Sequence, residues 1–95
     1  MKQINSKELK KIVRKLNNKS ITVEIKGVIS ILINIESVQA KYTRKNGIIE
    51  LQDNRTNVTI KIETELLYKA LQSENRNIIE LYLDNYQDIR ITVVE

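Results

Sequence analysis

Two stretches thirty residues apart spell the same pattern. Ile48-Ile49-Glu50-Leu51 leads through Asp53-Asn54 to Val58-x-Ile60-x-Ile62, and Ile78-Ile79-Glu80-Leu81 leads through Asp84-Asn85 to Ile89-x-Ile91-x-Val93. Each alternates apolar and polar residues, breaks at a polar turn and alternates back, as a β-hairpin does. Two such ribbons commit the chain to a sheet with one aliphatic face, and the remaining residues must cover or extend it. The repeat reads either as a duplication or as a chance recurrence in an Ile-rich chain, since two copies are too few for a repeat architecture. Neither ribbon carries a catalytic or ligand-binding motif, so the pattern defines a kind of fold without defining an activity.

Ninety-five residues suffice for one domain with one modest core. The core has to be built from Ile, Leu and Val, because the chain has no Phe and no Trp. The absence of cysteine excludes disulfides, thiolate nucleophiles and zinc-finger spacings. The absence of histidine removes the commonest general base and the commonest metal ligand. With only two glycines there is no glycine-rich phosphate loop either. An enzyme is therefore not expected, and no cofactor or metal is assigned. The segment after Met1 has no apolar stretch resembling a signal peptide, and the longest apolar run, Val28 to Ile33, is too short to span a bilayer. A cytoplasmic protein with no membrane partner is the expectation.

Residues 5–17 predict a helix. Asn5 and Glu8 have the spacing of a capping box, with Ser6 as the rival cap, and Leu9, Ile12, Val13 and Leu16 recur on one face. Asn17-Asn18 supplies a C-terminal stop. Residues 20–63 read as strands. Ile21, Val23 and Ile25 alternate with polar residues, and Gly27 marks a turn or bulge. From Val28 to Ile35 apolar residues fall on both faces, which predicts a central strand. The parity slips at Glu36-Ser37, which requires a bulge, bend or break. Asn46-Gly47 predicts a two-residue hairpin turn that sets Tyr42 opposite Leu51 and Arg44 opposite Ile49. The next turn sets Leu51 opposite Ile60 and Glu50 opposite Lys61. Residues 64–73 predict a short helix capped by Thr64, with Leu66, Leu67, Ala70 and Leu71 on its apolar face. Residues 78–94 form the C-terminal hairpin, with Leu83 opposite Ile89 and Tyr82 opposite Arg90.

These elements predict an α+β fold: an N-terminal helix, a mostly antiparallel meander of six to seven strands and a short helix before the last hairpin, with both helices on the aliphatic face. The alternative is a small, partly open β-barrel. A helix followed by short, bent strands is similar in outline to an Sm-like or SH3-like barrel, but no signature motif of either occurs and no family is claimed.

Two surfaces are candidates for function. Residues 1–19 carry seven Lys or Arg against one acid, whereas the rest of the chain is slightly acidic. Lys7, Lys10, Lys11, Arg14 and Lys15 on the first helix are candidate nucleic-acid contacts, since neutralising phosphates releases condensed counterions. A membrane surface and a merely solubilising face are the competing readings. The second surface is the outer face of the C-terminal hairpin, where Ile78, Tyr82, Arg90 and Val94 suit strand pairing with another chain. Tyr82, Tyr86 and Arg90 form a candidate stacking platform for bases. Lys41, Arg44 and Lys45 add a basic spot whose simpler reading is edge protection, and Asp84-Asn85-x-x-Asp88 is better explained by turn chemistry than by a cation. The leading expectation is a non-enzymatic interaction module, protein-binding or homo-oligomeric through the C-terminal hairpin. A nucleic-acid binder using the basic helix is the alternative.

Overall fold

Helix α1 spans Ser6–Lys15 and begins on Asn5. The Glu8 backbone N–H donates to the Asn5 side chain at 2.8 Å, and the Asn5 backbone N–H donates to the Glu8 carboxylate at 3.3 Å. This is the reciprocal cap the sequence predicts, and it satisfies two donors that a helix start leaves orphaned. Asn18 then takes a left-handed φ of 67° and turns the chain out of the helix. Leu9, Val13 and Leu16 are buried, so the apolar stripe faces the core.

A computed structural model describes residues 1–94. Among them lie one α-helix and nine strands: β1 (Lys2–Gln3), β2 (Ser20–Lys26), β3 (Ile31–Ile35), β4 (Val38–Thr43), β5 (Ile48–Asp53), β6 (Thr59–Glu63), β7 (Leu67–Gln72), β8 (Ile78–Leu83) and β9 (Gln87–Val94). They form two antiparallel sheets, one ordered β1-β7-β8-β9-β2-β3 and the other β4-β5-β6. The α+β class therefore holds. The single meander does not, because the chain leaves the large sheet after β3, builds the small one and returns at β7. Neither sheet closes into a barrel. The break at Glu36-Ser37, where the parity slips, is the point of transfer between sheets.

The two hairpins of the repeated pattern fall in different sheets and share one core. Ile49, Leu51, Ile60 and Ile62 come from the first, and Ile79, Leu81, Ile89 and Ile91 from the second; all are buried. Each such side chain contributes on the order of 1.5–3 kcal/mol through removal from water. The first hairpin has the expected register, Leu51 opposite Ile60 and Glu50 opposite Lys61.

Four expectations are corrected. The helix over 64–73 does not form: Thr64–Leu66 is a single 3-10 turn and Leu67–Gln72 is strand β7. The register shifts between Leu67 and Lys69, with Leu67 opposite Leu83 and Ala70 opposite Leu81. That bulge sets the inward residues three positions apart instead of two, and in a sequence this spacing mimics a helical period. The turn at Asn46-Gly47 spans Arg44–Gly47, so Tyr42 pairs with Ile49 and Ala40 with Leu51. Only Gly47 takes the left-handed conformation there, with φ 62°, whereas a two-residue type I′ turn needs it at both central positions.

The last hairpin also turns earlier than expected. Leu81 lies opposite Ile89, Glu80 opposite Arg90 and Tyr82 opposite Asp88. Its three-residue turn ends on Tyr86 at φ 63°. Finally, Val28–Ile35 is not a central strand. Only Ile31–Ile35 is strand, and it closes one edge of the large sheet.

Candidate functional site

The free edge at β3 is the feature the sequence most obscures. β3 pairs with β2 alone, and among the described residues none of its backbone groups bonds elsewhere. Ile35 and, in part, Ile33 reach the core, but Ile31 lies at the end of the inner face, where the core runs out, and is 48% exposed. On the opposite face Leu32 is 62% exposed, and in the β2–β3 loop Val28 and Ile29 are fully and largely exposed. Apolar residues on both faces of a strand normally indicate burial on both faces; here they mark a strand whose outer flank is bare.

Tyr86 belongs to the same end of the sheet. A Cβ placed on Gly27 would lie 3.3 Å from the Gln87 side chain and 3.7 Å from the Tyr86 carbonyl oxygen, so the β2–β3 loop and the β8–β9 turn touch at that glycine. Tyr86 is almost wholly exposed, and its positive φ is unfavourable for a bulky aromatic residue. Val28, Ile29, Ile31 and Leu32 make one exposed apolar tip and edge, and the turn that carries Tyr86 meets the start of that loop at Gly27. No residue from Gly27 to Ile35 carries a charge. The other sheet edges are defended differently: β6 carries exposed Lys61 and Glu63, and β1 is two residues long with exposed Lys2. Charged side chains and short strands are the usual protections of an edge, and β3 has neither charge nor cover.

The expected edge at the C-terminal hairpin is absent. β8 lies between β7 and β9, and β9 between β8 and β2, so both strands are paired on both sides. Ile78, Tyr82 and Arg90 are half-buried on the outer face, and Val94 is exposed. There the Arg90 guanidinium donates to one Glu80 carboxylate oxygen from Nε at 3.1 Å and from Nη2 at 2.8 Å. The Tyr82 hydroxyl donates to the other Glu80 oxygen at 3.4 Å. The Tyr82 ring lies 6.4 Å from that of Tyr68, and Lys69 Nζ sits 5.0 Å from its centroid. Burial, reinforced by the Glu80 charge and hydrogen bond, holds the Tyr82 phenol above its ordinary value of 10.0. The Glu80 hydrogen bond and charge raise Arg90 as well. Tyr86 stands apart in the turn, so no platform of Tyr82, Tyr86 and Arg90 is assembled. Asp84-Asn85 is a turn, with the Gln87 backbone N–H donating to the Asn85 side chain at 3.2 Å.

The basic helix keeps its cations free. Lys7, Lys11, Arg14 and Lys15 are exposed and Lys10 is partly so, and none is ion-paired among the described residues. The helix stands as a ridge between two grooves. One, of about 680 Å³, lies toward the large sheet and adds Lys2, Lys19 and Arg76, with Glu8 and Glu74 also on its walls. The other, of about 480 Å³, lies toward β4 and adds Tyr42 and Arg44. The sequence places Lys2 and Lys19 in the same basic N-terminal segment without marking them as contacts, and it gives no sign of Arg76, which only the non-local strand order brings to this groove. Arg44, expected at an edge-protecting spot with Lys41 and Lys45, instead faces α1 across that second groove. No helix among the described residues is long and apolar enough to cross a membrane. No protein-family model matches the chain, no curated protein matches it, and no solved structure matches its fold.

Proposed function

We propose that the protein is a non-enzymatic interaction module that pairs with a second copy of itself along β3. The observation that carries this reading is the uncharged, exposed apolar edge from Gly27 to Ile35, with Tyr86 beside it. Two such edges related by a two-fold axis meet antiparallel, with no like charges brought together and with unpaired backbone groups finding partners. A charged partner segment would find no complementary charge there. A standard interface takes about 800 Å² from each partner, roughly one-eighth of this monomer's 6370 Å². Tyr86, exposed in the turn that meets the β2–β3 loop, adds an aromatic ring of the kind enriched at interfaces.

Light scattering across a concentration series tests the proposal. The wild-type chain is expected to move from monomer to dimer, and Leu32→Lys or Ile29→Lys to stay monomeric. Val94→Lys, on the outer face of the central strands, is expected to dimerise like wild type. A wild-type chain that stays monomeric at high micromolar concentration, or a Leu32→Lys variant that dimerises normally, contradicts it.

A further inference from the structure

We infer that α1 and its two flanking grooves form a docking surface for duplex nucleic acid, with the helix as a ridge in the major groove and the two phosphate backbones over the flanks. This goes beyond self-association and uses a different face of the molecule.

The side chains of α1 divide around its axis. Leu9, Val13 and Leu16 point into the core, and Ile12 is partly covered. At 100° per residue, Lys7, Lys11 and Arg14 then occupy the crest opposite them, Lys10 descends on one side and Lys15 on the other. The grooves follow the same division. Lys10 faces Arg44 across the groove beside β4. Lys15 faces Lys19, Lys2 and Arg76 across the groove beside the large sheet. A cationic crest with a cationic valley on each side is the negative image of a major groove bordered by two phosphate strands.

The dimensions agree. A ten-residue helix is about 15 Å long and about 10–12 Å across, and the major groove of B-form DNA is about 12 Å wide. A single strand would occupy one valley and leave the other idle. A membrane surface is disfavoured for a separate reason: the apolar stripe of α1 is spent on the core, so the helix has nothing to insert into lipid. Glu8 and Glu74 on one wall reduce the field there, which makes that flank the weaker of the two per cation. The flank contacts are to phosphate, which positions a protein on a duplex without reading its sequence.

Fluorescence anisotropy with a labelled 20-base-pair duplex, the corresponding single strand and vesicles of anionic phospholipid tests this. The duplex is expected to bind at 50 mM salt and to weaken by about 10³-fold at 200 mM, as several neutralised phosphates require. Lys10→Gln/Arg44→Gln on one flank and Lys19→Gln/Arg76→Gln on the other are each expected to weaken binding at least tenfold. Each should also lower the salt slope by about two, one per lost phosphate contact. Glu74→Gln is expected to tighten binding. All five positions except Lys10 are exposed, so folding is expected to be unaffected, and thermal unfolding of each variant verifies it. Absent duplex binding at 50 mM salt overturns the inference. So does a single strand or vesicle bound as tightly as the duplex, or a flank whose double variant binds like wild type.

Discussion

The side chain of Asn17 grips the backbone of Ala40 at two points. Its Oδ1 accepts from the Ala40 N–H at 2.8 Å, and its Nδ2 donates to the Ala40 carbonyl at 3.1 Å. An amide side chain thereby does what a neighbouring strand would do for β4. The chain continues the same contact: the Asn18 N–H donates to the Val38 carbonyl at 2.8 Å, and the Val38 N–H to the Lys19 carbonyl at 3.0 Å. The junction after α1 thus covers the outer edge of the small sheet, and the sheet that holds β3 has no such cover on that side.

Asn17→Ala removes both bonds and leaves the Ala40 N–H without its partner. Two bonds at about 0.5–1.5 kcal/mol each predict a loss of about 1–3 kcal/mol, read by urea denaturation. Asn17→Asp keeps the acceptor but sets a carboxylate against the Ala40 carbonyl, so it should also destabilise. If Asn17→Ala unfolds at the wild-type midpoint, the clamp contributes nothing.

A second prediction concerns alkaline pH. The Tyr82 phenol titrates above 10.0 in the folded chain because burial and Glu80 disfavour its anion. The folded state then holds that proton more tightly than the unfolded state does. Its contribution is full below about pH 10 and is lost as pH rises through the folded value. Tyr82→Phe should therefore flatten the alkaline limb of a stability-against-pH curve, relative to wild type, and leave the neutral region parallel. Unchanged alkaline limbs in the two proteins would show that the Tyr82 environment is not coupled to folding.

How far the sequence reaches is clear from particular residues. The Asn5–Glu8 cap and the Glu50–Lys61 register are legible because both depend on neighbours within one local element. β7 is not, since the bulge beside Tyr68 gives its inward residues a helix-like spacing. Nor is the status of β3: apolar residues on both faces read as a strand covered on both sides, whereas Ile31 and Leu32 are exposed and the strand order leaves one flank without an intramolecular neighbour. Arg76 reaches α1 for the same non-local reason, whereas Lys2 and Lys19 belong to the basic N-terminal segment that the sequence already shows.

Tyr86 links stability to association. An aromatic residue at φ 63° is held where Asn is far more readily accommodated. Tyr86→Asn is expected to raise stability by about 1 kcal/mol, within the range for relief of an unfavourable backbone conformation. The same change removes the exposed ring from the tip and should weaken dimerisation. Thermal unfolding and light scattering on one sample check both halves; a variant that is less stable than wild type contradicts the first, and one that dimerises equally well contradicts the second.

The most direct test of pairing at β3 is amide hydrogen exchange of Ile31–Ile35 at rising protein concentration. The amides of β3 that face away from β2 have no partner in the monomer. Their protection should climb with concentration as the two edges pair, while that of interior strands such as β8 stays constant. Outward β3 amides that exchange equally fast from micromolar to millimolar protein would contradict pairing along this edge.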